Sequence, residues 1–164
     1  EEKRRREEET RRAQRAASSR RSIIFFNSGA DEYFAVPQDK VLRLERISPE
    51  QIETVGSREY IQYRGSGLPL LRLDRHLSVT PLPPEVKDLF LIIPKTSKDG
   101  DAQHAPAGIV ASRIVDAMDI EVELQQARVD GPGVLGSGIV NKHLTLFIDP
   151  LTLLGATGYL GDAA

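Results

Sequence analysis

The sequence contains no cysteine, no tryptophan and one methionine, and aromatic residues make up only 5% of the chain. Without cysteine there are no disulfides, thiolate nucleophiles or cysteine-ligated zinc sites, which is compatible with a reducing cytoplasm. Long apolar runs are also missing, since none reaches the roughly 20 residues that a membrane-spanning helix needs. The charged amino terminus lacks the apolar stretch of a secretory signal. These absences predict a cytoplasmic protein that does not insert into a membrane.

An excess of charge of one sign is missing as well. Lys and Arg number 22 against 24 Asp and Glu, which gives a formal net charge of −2 over 164 residues. Such a balance gives no overall attraction to nucleic acid or to an anionic membrane. The hydrophobic content of 40% and the charged content of 28% are typical of a folded soluble protein. The length suits one domain with a real core.

The charge is concentrated at one end of the chain. Residues 1–21 contain nine basic side chains and five glutamates, a net charge of +4. Glu7 and Arg11 are an i, i+4 pair, and no Gly or Pro interrupts the segment, so we predict a solvent-exposed helix. The only apolar residues it offers for packing are alanines, and its acidic residues are interleaved with the basic ones. We interpret residues 1–21 as a charged helical linker, rather than an RNA- or membrane-binding element.

From residue 22 onward the pattern is that of short strands separated by turn residues. Frequent short strands of this kind predict an all-β sandwich or barrels. Short helical turns are expected at residues 74–77 and 149–154. The predicted strands are residues 23–26, 33–36, 41–47, 60–63, 68–73, 88–93, 107–115, 120–124, 134–140 and 143–148.

A faint internal repeat divides this region. Residues 34–44 align with residues 107–117 at an offset of 73, and Asp74 aligns with Asp149 at an offset of 75. Two similar offsets predict two similar halves, each forming a small barrel, with a join near residues 80–86 where Pro81-Leu82-Pro83-Pro84 stiffens the chain. Packing two barrels together would cover sheet edges that either leaves open. The polar stretch 94–106 is predicted to be a mobile loop, and residues 159–164 a tail.

One motif raises the possibility of nucleotide binding. Gly131-Pro132-Gly133-Val134-Leu135-Gly136 satisfies G-x-G-x-x-G, which holds a pyrophosphate only when a helix follows it. Residues 134–140 have the pattern of a strand, so we interpret the match as accidental. A small-molecule or nucleotide-binding β-barrel remains an alternative function.

Catalytic patterns are not found. His76, His104 and His143 lie far apart and show no metal-ligand spacing, and no G-x-S-x-G nucleophile motif occurs. We therefore predict no catalytic residue, no metal site and no cofactor.

The segment YIQYRGSGLPLLRLD, residues 60–74, offers a candidate binding surface. Two strands meet at Arg64-Gly65, and Arg64 is followed by apolar Leu68, Pro69 and Leu71. Arginine beside exposed apolar surface is typical of interface hot spots. The alternative is an ordinary surface arginine in a turn.

Five motifs in order resemble the CheW-like domain of bacterial chemotaxis, over residues 22–158. The resemblance implies two SH3-like five-stranded β-barrels packed together. In one place, Ile109-Val110-Ala111-Ser112-Arg113, the chain departs from a Val-Val-Asp-like stretch of the family. The motifs are Tyr33-Phe34-Ala35-Val36-Pro37; Val41-Leu42-Arg43-Leu44-Glu45-Arg46-Ile47; Gln62-Tyr63-Arg64-Gly65 with Leu68-Pro69-Leu70; Ala107-Gly108-Ile109-Val110; and Gly133-Val134-Leu135-Gly136 with Leu146-Phe147-Ile148-Asp149-Pro150.

The resemblance also implies a function, that of a non-catalytic scaffold that joins histidine kinase to chemoreceptors. The implied partners are the cytoplasmic tip of a chemoreceptor, a CheA-type kinase and other CheW-like domains. Gln62-Tyr63-Arg64-Gly65 differs from the Asn-Leu-Arg-Gly of free CheW couplers, so we predict the regulatory domain of a CheA-type kinase, with a free-standing coupler as the alternative. The family positions implied to bind partners are Val41, Arg43, Leu44, Arg64, Gly65, Leu68 and Pro69.

Overall fold

The structure, a computed structural model, describes residues 2–29, 31–95 and 107–159, with the side chains of residues 12–19 excepted. Over these residues the chain forms two sheets, which confirms the all-β prediction. The first sheet contains β1 (Arg20–Asn27), β2 (Tyr33–Pro37), β9 (Arg113–Glu121), β10 (Val134–Val140) and β11 (His143–Ile148). The second contains β3 (Val41–Ile47), β4 (Glu53–Val55), β5 (Arg58–Tyr63), β6 (Ser66–Leu71), β7 (Leu89–Pro94) and β8 (Gly108–Ala111). Two α-helices, α1 (Glu2–Ser19) and α2 (Pro150–Ala156), and three 3-10 helices (Gln38–Lys40, Pro49–Gln51, Leu73–Arg75) complete the described elements.

The first sheet has the order β10-β11-β2-β1-β9 and closes into a barrel. Its pairings are antiparallel except for β11 with β2, which is parallel. Beyond β9 the chain returns to β10, where Gln125 and Ser137 exchange backbone hydrogen bonds of 2.9 and 2.8 Å. The barrel encloses its own core cluster, formed by Ile23, Phe25, Ala35, Val122, Val140 and Phe147.

The second sheet has the order β3-β7-β8-β6-β5-β4. Only β6 and β8 pair in parallel. This sheet has six strands rather than the expected five, because the short strand β4 pairs with β5. It surrounds a second core cluster, formed by Ile47, Ile61, Leu68, Leu70, Leu89, Leu91, Ile93 and Val110.

A third apolar cluster joins the two sheets, and we call it the seam. In β1, Ile23 and Phe25 face the barrel core while Ile24 and Phe26 face the seam, so both faces of the strand are buried. Burial on both faces explains why this strand is a continuous apolar run without alternation. The buried members of the seam are Ile24, Phe26, Phe34, Val36, Leu71, Leu73, Leu77, Ile92, Ala107, Ile109, Ala111, Leu146, Ile148, Leu153 and Leu154.

The sheet order does not support a join between two halves near residues 80–86. That stretch lies between β6 and β7, which both belong to the six-stranded sheet. The chain instead passes between the sheets from β2 to β3 and again from β8 to β9. At the second crossing Ser112 donates its backbone N–H and its hydroxyl to Asn27 O, at 2.8 and 3.1 Å, which turns the chain into the other sheet. The single predicted strand over residues 107–115 is therefore two strands.

The predicted linker is helical over Glu2–Ser19, and its residues 2–11 are exposed. Arg20 and Arg21 belong to β1, where they pair with Glu121 and Ile120. Most of the predicted loop 94–106 and all of the tail beyond Tyr159 lie outside the described residues.

Candidate functional site

The Arg64-Gly65 turn connects β5 and β6 as a two-residue hairpin loop between paired Tyr63 and Ser66. Both turn residues have positive φ, +48° for Arg64 and +83° for Gly65. These angles are those of a type I′ turn, which suits hairpin twist and favours glycine or asparagine. The Arg64 guanidinium carbon lies 5.6 Å from the centroid of the Tyr63 ring, a cation–π contact. The turn therefore presents an exposed arginine at a hairpin tip.

The apolar residues that follow this turn do not form a surface beside it. Leu68 is 3% exposed and Leu71 is fully buried, the first in the core of the six-stranded sheet and the second in the seam. Pro69 is half-buried. The prediction that Arg64 lies beside exposed Leu68 and Leu71 is wrong, because both of those side chains point into cores. Leu68 is not accessible to a partner.

The other predicted partner-binding residues lie on β3, an edge strand in the sheet order that pairs only with β7. Leu44 is 38% exposed, and the Arg43 guanidinium lies 3.5 Å from the Glu45 carboxylate. Val41 is half-buried against the seam. β7 and β8 separate β3 from the β5–β6 hairpin, so the sheet order does not bring Val41, Arg43 and Leu44 together with Arg64 and Gly65.

An exposed apolar pair that was not predicted from the sequence lies on the β10–β11 hairpin. Ile139 is 62% exposed and Leu144 is 68% exposed, and the two residues are direct cross-strand partners. We call these two side chains the hairpin patch. The turn between the strands is Asn141-Lys142, with φ of +49° and +69°. Large apolar side chains exposed side by side indicate an interaction surface more strongly than scattered ones.

A groove of about 510 Å³ continues from the hairpin patch, with Leu144 in its wall. The imidazole of His143 stacks on Tyr33 with ring centroids 4.0 Å apart, which fixes that part of the hairpin. The groove is lined by Asp31, Glu32, Tyr33, Phe34, Val79, Gln125, Gln126, Ala127, Arg128, Val129, Ser137, Leu144 and Leu146. The lining combines apolar side chains with charged and amide side chains, a mixture that is also found in protein interfaces.

The sequence contains one pattern from which the hairpin patch could be predicted. Strands with one solvent-facing side alternate apolar and polar residues, whereas Ile139-Val140 places apolar residues on both faces. Val140 is 2% exposed and lies in the barrel core, so Ile139 must point outward.

The glycines of the G-x-G-x-x-G match serve close backbone packing. A Cβ on Gly133, where φ is +77°, would lie 2.8 Å from Asp149 O, and one on Gly136 would lie 2.6 Å from Gln125 O. β10 begins at Val134, inside the motif, so a strand follows it as predicted. The helix terminus that pyrophosphate binding requires is not formed there.

A group of charged and aromatic side chains joins α2 to the six-stranded sheet. The Tyr159 hydroxyl donates to Leu70 O at 3.2 Å, and the Arg58 guanidinium lies 4.9 Å from the centroid of the Tyr159 ring. These Tyr159 contacts fasten the segment after α2 to the six-stranded sheet. Next to Arg58 in β5, Glu59 accepts from Arg72 Nε and Nη2 at 2.6 and 3.0 Å.

The histidines have structural surroundings. His76 packs edge-on against Tyr159, with ring centroids 5.9 Å apart. Burial, and next the positive charge of Arg75, lower the pKa of His76 below its ordinary value of 6.5. His104 lies outside the described residues. Within the described ranges no group of three or more His, Asp or Glu side chains could hold a metal ion, and no helix is long and apolar enough to cross a membrane.

The fold and these surfaces define a class of protein, a pair of small SH3-like barrels that share an apolar seam. The family model described as "CheW-like domain" matches residues 22–157, and the chain belongs to this family. The predicted family and fold are thereby confirmed. A solved structure, the scaffolding protein TtCheW from Thermoanaerobacter tengcongensis, has a similar fold with a TM-score of 0.57. Its sequence is 19% identical, and the similarity covers 79% of this chain and 88% of that chain. No curated protein matches the chain.

Proposed function

We propose that this CheW-like domain is a non-catalytic scaffold of chemotaxis-type signalling, which docks a histidine kinase to chemoreceptors. The observation that carries the proposal is the family match over residues 22–157, on a fold whose two barrels share an apolar seam. Two barrels packed through a common core, with separate exposed surfaces, suit a protein that holds others together. The proposed partners are a chemoreceptor cytoplasmic tip, a CheA-type kinase and other CheW-like domains, and the proposed location is the cytoplasm at receptor arrays.

A free-standing coupling protein is the form that we propose first. The prediction of a CheA-type regulatory domain is not confirmed, and the similar solved structure is a CheW scaffolding protein aligned over 88% of its chain. Capture experiments with purified partners test this form, because a free coupler is expected to bind a complete CheA-type kinase and a receptor tip fragment at the same time.

The hairpin patch and the groove beside it form our proposed docking surface. Burying an Ile or Leu side chain stabilises a complex by about 1.5–3 kcal/mol, so two exposed neighbours supply a substantial part of a docking free energy.

The double variant Ile139→Lys and Leu144→Lys is expected to weaken capture of a CheW-like domain, a CheA-type kinase or a receptor tip hairpin by at least about 10-fold. Both side chains are largely exposed, so thermal stability should stay within about 2 °C of the parent. Biolayer interferometry with each partner immobilised in turn measures the dissociation constant. Val55→Lys, on the exposed strand β4, is the matched control, because Val55 is 67% exposed and lies in the other sheet. Unchanged affinity of the double variant for all three partners would show that the patch is not a docking surface.

Arg64 is proposed to fix the orientation of a partner through directed hydrogen bonds from its guanidinium. Arg64→Glu is expected to leave the melting temperature nearly unchanged and to weaken partner capture in a pulldown. Arg113→Glu provides the control, since Arg113 is also exposed and lies on β9 in the other sheet, away from every predicted partner-binding residue. Equal capture by Arg64→Glu and the parent would assign Arg64 to the turn alone.

A further inference from the structure

A cavity of about 520 Å³ opens at one end of the five-stranded barrel, away from the hairpin patch residues. Its apolar side is formed by Ile23 and Phe147, both 1% exposed, and by Leu135, which is 46% exposed. Its polar side carries side chains of both signs. The full lining is Arg20, Arg21, Ser22, Ile23, Pro37, Asp39, Lys40, Leu135, Phe147 and Asp149.

Arg21 enters this cavity from the direction of the barrel core. Side chains alternate along β1, so Arg21 shares a face with Ile23 and Phe25, which lie inside the barrel. Its Nε atom is buried and has no hydrogen-bond partner. A buried donor on a cation costs free energy unless an acceptor satisfies it.

The other charges of the cavity leave Arg21 and Lys40 without ion pairs. Among the described residues neither has a carboxylate within ion-pairing distance, whereas Arg20 pairs with Glu121 at 3.3 Å. One Asp149 oxygen accepts from Leu151 N at 3.1 Å, so it is occupied in capping α2. Asp39 is exposed. The cavity thus offers two unpaired cations next to an apolar wall.

We propose that this cavity binds a carboxylate carried on an apolar group. Arg21 and Lys40 hold the carboxylate, and the Arg21 Nε–H gains the acceptor that it lacks. Ile23, Leu135 and Phe147 contact the apolar group. The same chemistry is presented by a small apolar carboxylic acid and by an acidic side chain flanked by apolar residues in a protein segment. The site is independent of the proposed scaffold function.

Two probes with neutral analogues test the site by NMR titration of the full chain. The probes are 4-phenylbutyrate and the peptide acetyl-Phe-Glu-Leu-amide, and the analogues are 4-phenylbutanamide and acetyl-Phe-Gln-Leu-amide. We expect at least one carboxylate probe to shift the methyl and ring resonances of Ile23, Leu135 and Phe147. The dissociation constant of that probe should be at least 10-fold lower than that of its amide. Binding by both probes, or by the small acid alone, indicates a free acid as ligand, and binding by the peptide alone indicates a protein segment. No binding by either probe, or equal binding by the amides, overturns the proposal.

Arg21→Met and Lys40→Met are each expected to weaken binding of the carboxylate probe at least 10-fold. Arg113→Met, on the exposed side of β9 and outside the lining, should not change its binding. Without probe, Arg21→Met should melt about 3 °C higher than the parent, because the unsatisfied donor is removed. The proposal would be overturned if Arg21→Met melted at a lower temperature than the parent and Lys40→Met bound the probe as tightly as the parent. Capture of kinase and receptor fragments should be unaffected by either variant, so failure here leaves the scaffold function standing.

Discussion

Gly133→Ala is expected to lower the free energy of unfolding by about 3 kcal/mol. The residue has φ of +77°, a conformation that costs a residue with a side chain about 1–2 kcal/mol. The new Cβ would also lie 2.8 Å from Asp149 O and 2.9 Å from Leu153 N, both backbone atoms of the α2 region. Neither can move without breaking the 2.7 Å hydrogen bond from Asp149 N to Gly133 O or shifting the first turn of α2.

Urea unfolding of Gly133→Ala and of Gly65→Ala separates the cost of the positive φ from the cost of the close contact at the new Cβ. Gly65 has φ of +83°, and a Cβ there would have no neighbour within 4 Å. Gly65→Ala should therefore cost only about 1 kcal/mol, the conformational part alone. Equal losses for the two variants would mean that the close approach of α2 to Gly133 has no energetic effect.

Glu59→Gln is expected to lower the free energy of unfolding by about 2 kcal/mol at pH 7. Glu59 accepts two hydrogen bonds from Arg72, and the two side chains are only 14% and 21% exposed. Arg75 lies 3.5 Å from the same carboxylate. Glutamine cannot accept both bonds at full charge, so the Arg72 guanidinium would lose its counterion in a partly buried place. Glu45→Gln is the matched control, since Glu45 and Arg43 are more exposed and 3.5 Å apart, and should cost at most about 0.5 kcal/mol.

The pH dependence of the Glu59→Gln effect gives a second check. The hydrogen bonds from Arg72 lower the pKa of Glu59 below its ordinary value of 4.5. The unfolded chain then binds a proton more readily than the folded one, so the contribution is complete above pH 4.5 and is lost as the pH falls through the folded pKa. The difference in unfolding free energy between the parent and Glu59→Gln should therefore shrink below pH 4.5. A difference that stays constant down to pH 3 would show that the carboxylate charge does not stabilise the fold.

Much of the strand layout follows from the sequence because turn residues and apolar periodicity mark it. The predicted strands 41–47, 134–140 and 143–148 have the observed limits. Asn141-Lys142 separates the last two, and a polar dipeptide between apolar runs is a strong hairpin signal. β4 was missed because its three residues are all exposed and show no apolar alternation.

The strand predicted from alternation at residues 120–124 is not formed over its full length. The regular pattern of apolar and acidic residues there predicts one strand, but β9 ends at Glu121. Val122 is buried in the barrel core although it makes no ladder hydrogen bonds, so burial alone produces the periodicity. The alternation of apolar and polar residues therefore indicates which side chains face inward, but it does not indicate whether a neighbouring strand pairs with the segment.

The candidate site was harder to predict than the fold. A short motif such as Arg64-Gly65 identifies a turn, but whether Leu68 faces a core or a partner depends on strands that are distant in sequence. The hairpin patch is visible only when Ile139 and Leu144 are known to be cross-strand partners on an outer face. Whether Arg21 has an ion-pair partner likewise depends on which carboxylates lie near it in the folded chain.

The parallel pairing of β11 with β2 sets an order for folding during synthesis. β2 contributes Tyr33, Phe34 and Ala35 to this pairing, and its partners Thr145, Leu146 and Phe147 lie in β11, which is synthesised more than 100 residues later. The six-stranded sheet, in contrast, comes from one continuous stretch between Val41 and Ala111. On the ribosome the six-stranded sheet can therefore form before β9 and β11, the strands that pair with β1 and β2, have been synthesised. Nascent chains stalled far enough beyond residue 111 for β8 to have left the exit tunnel should contain the folded six-stranded sheet, preceded by an exposed Ile23-Ile24-Phe25-Phe26 segment that a chaperone could bind.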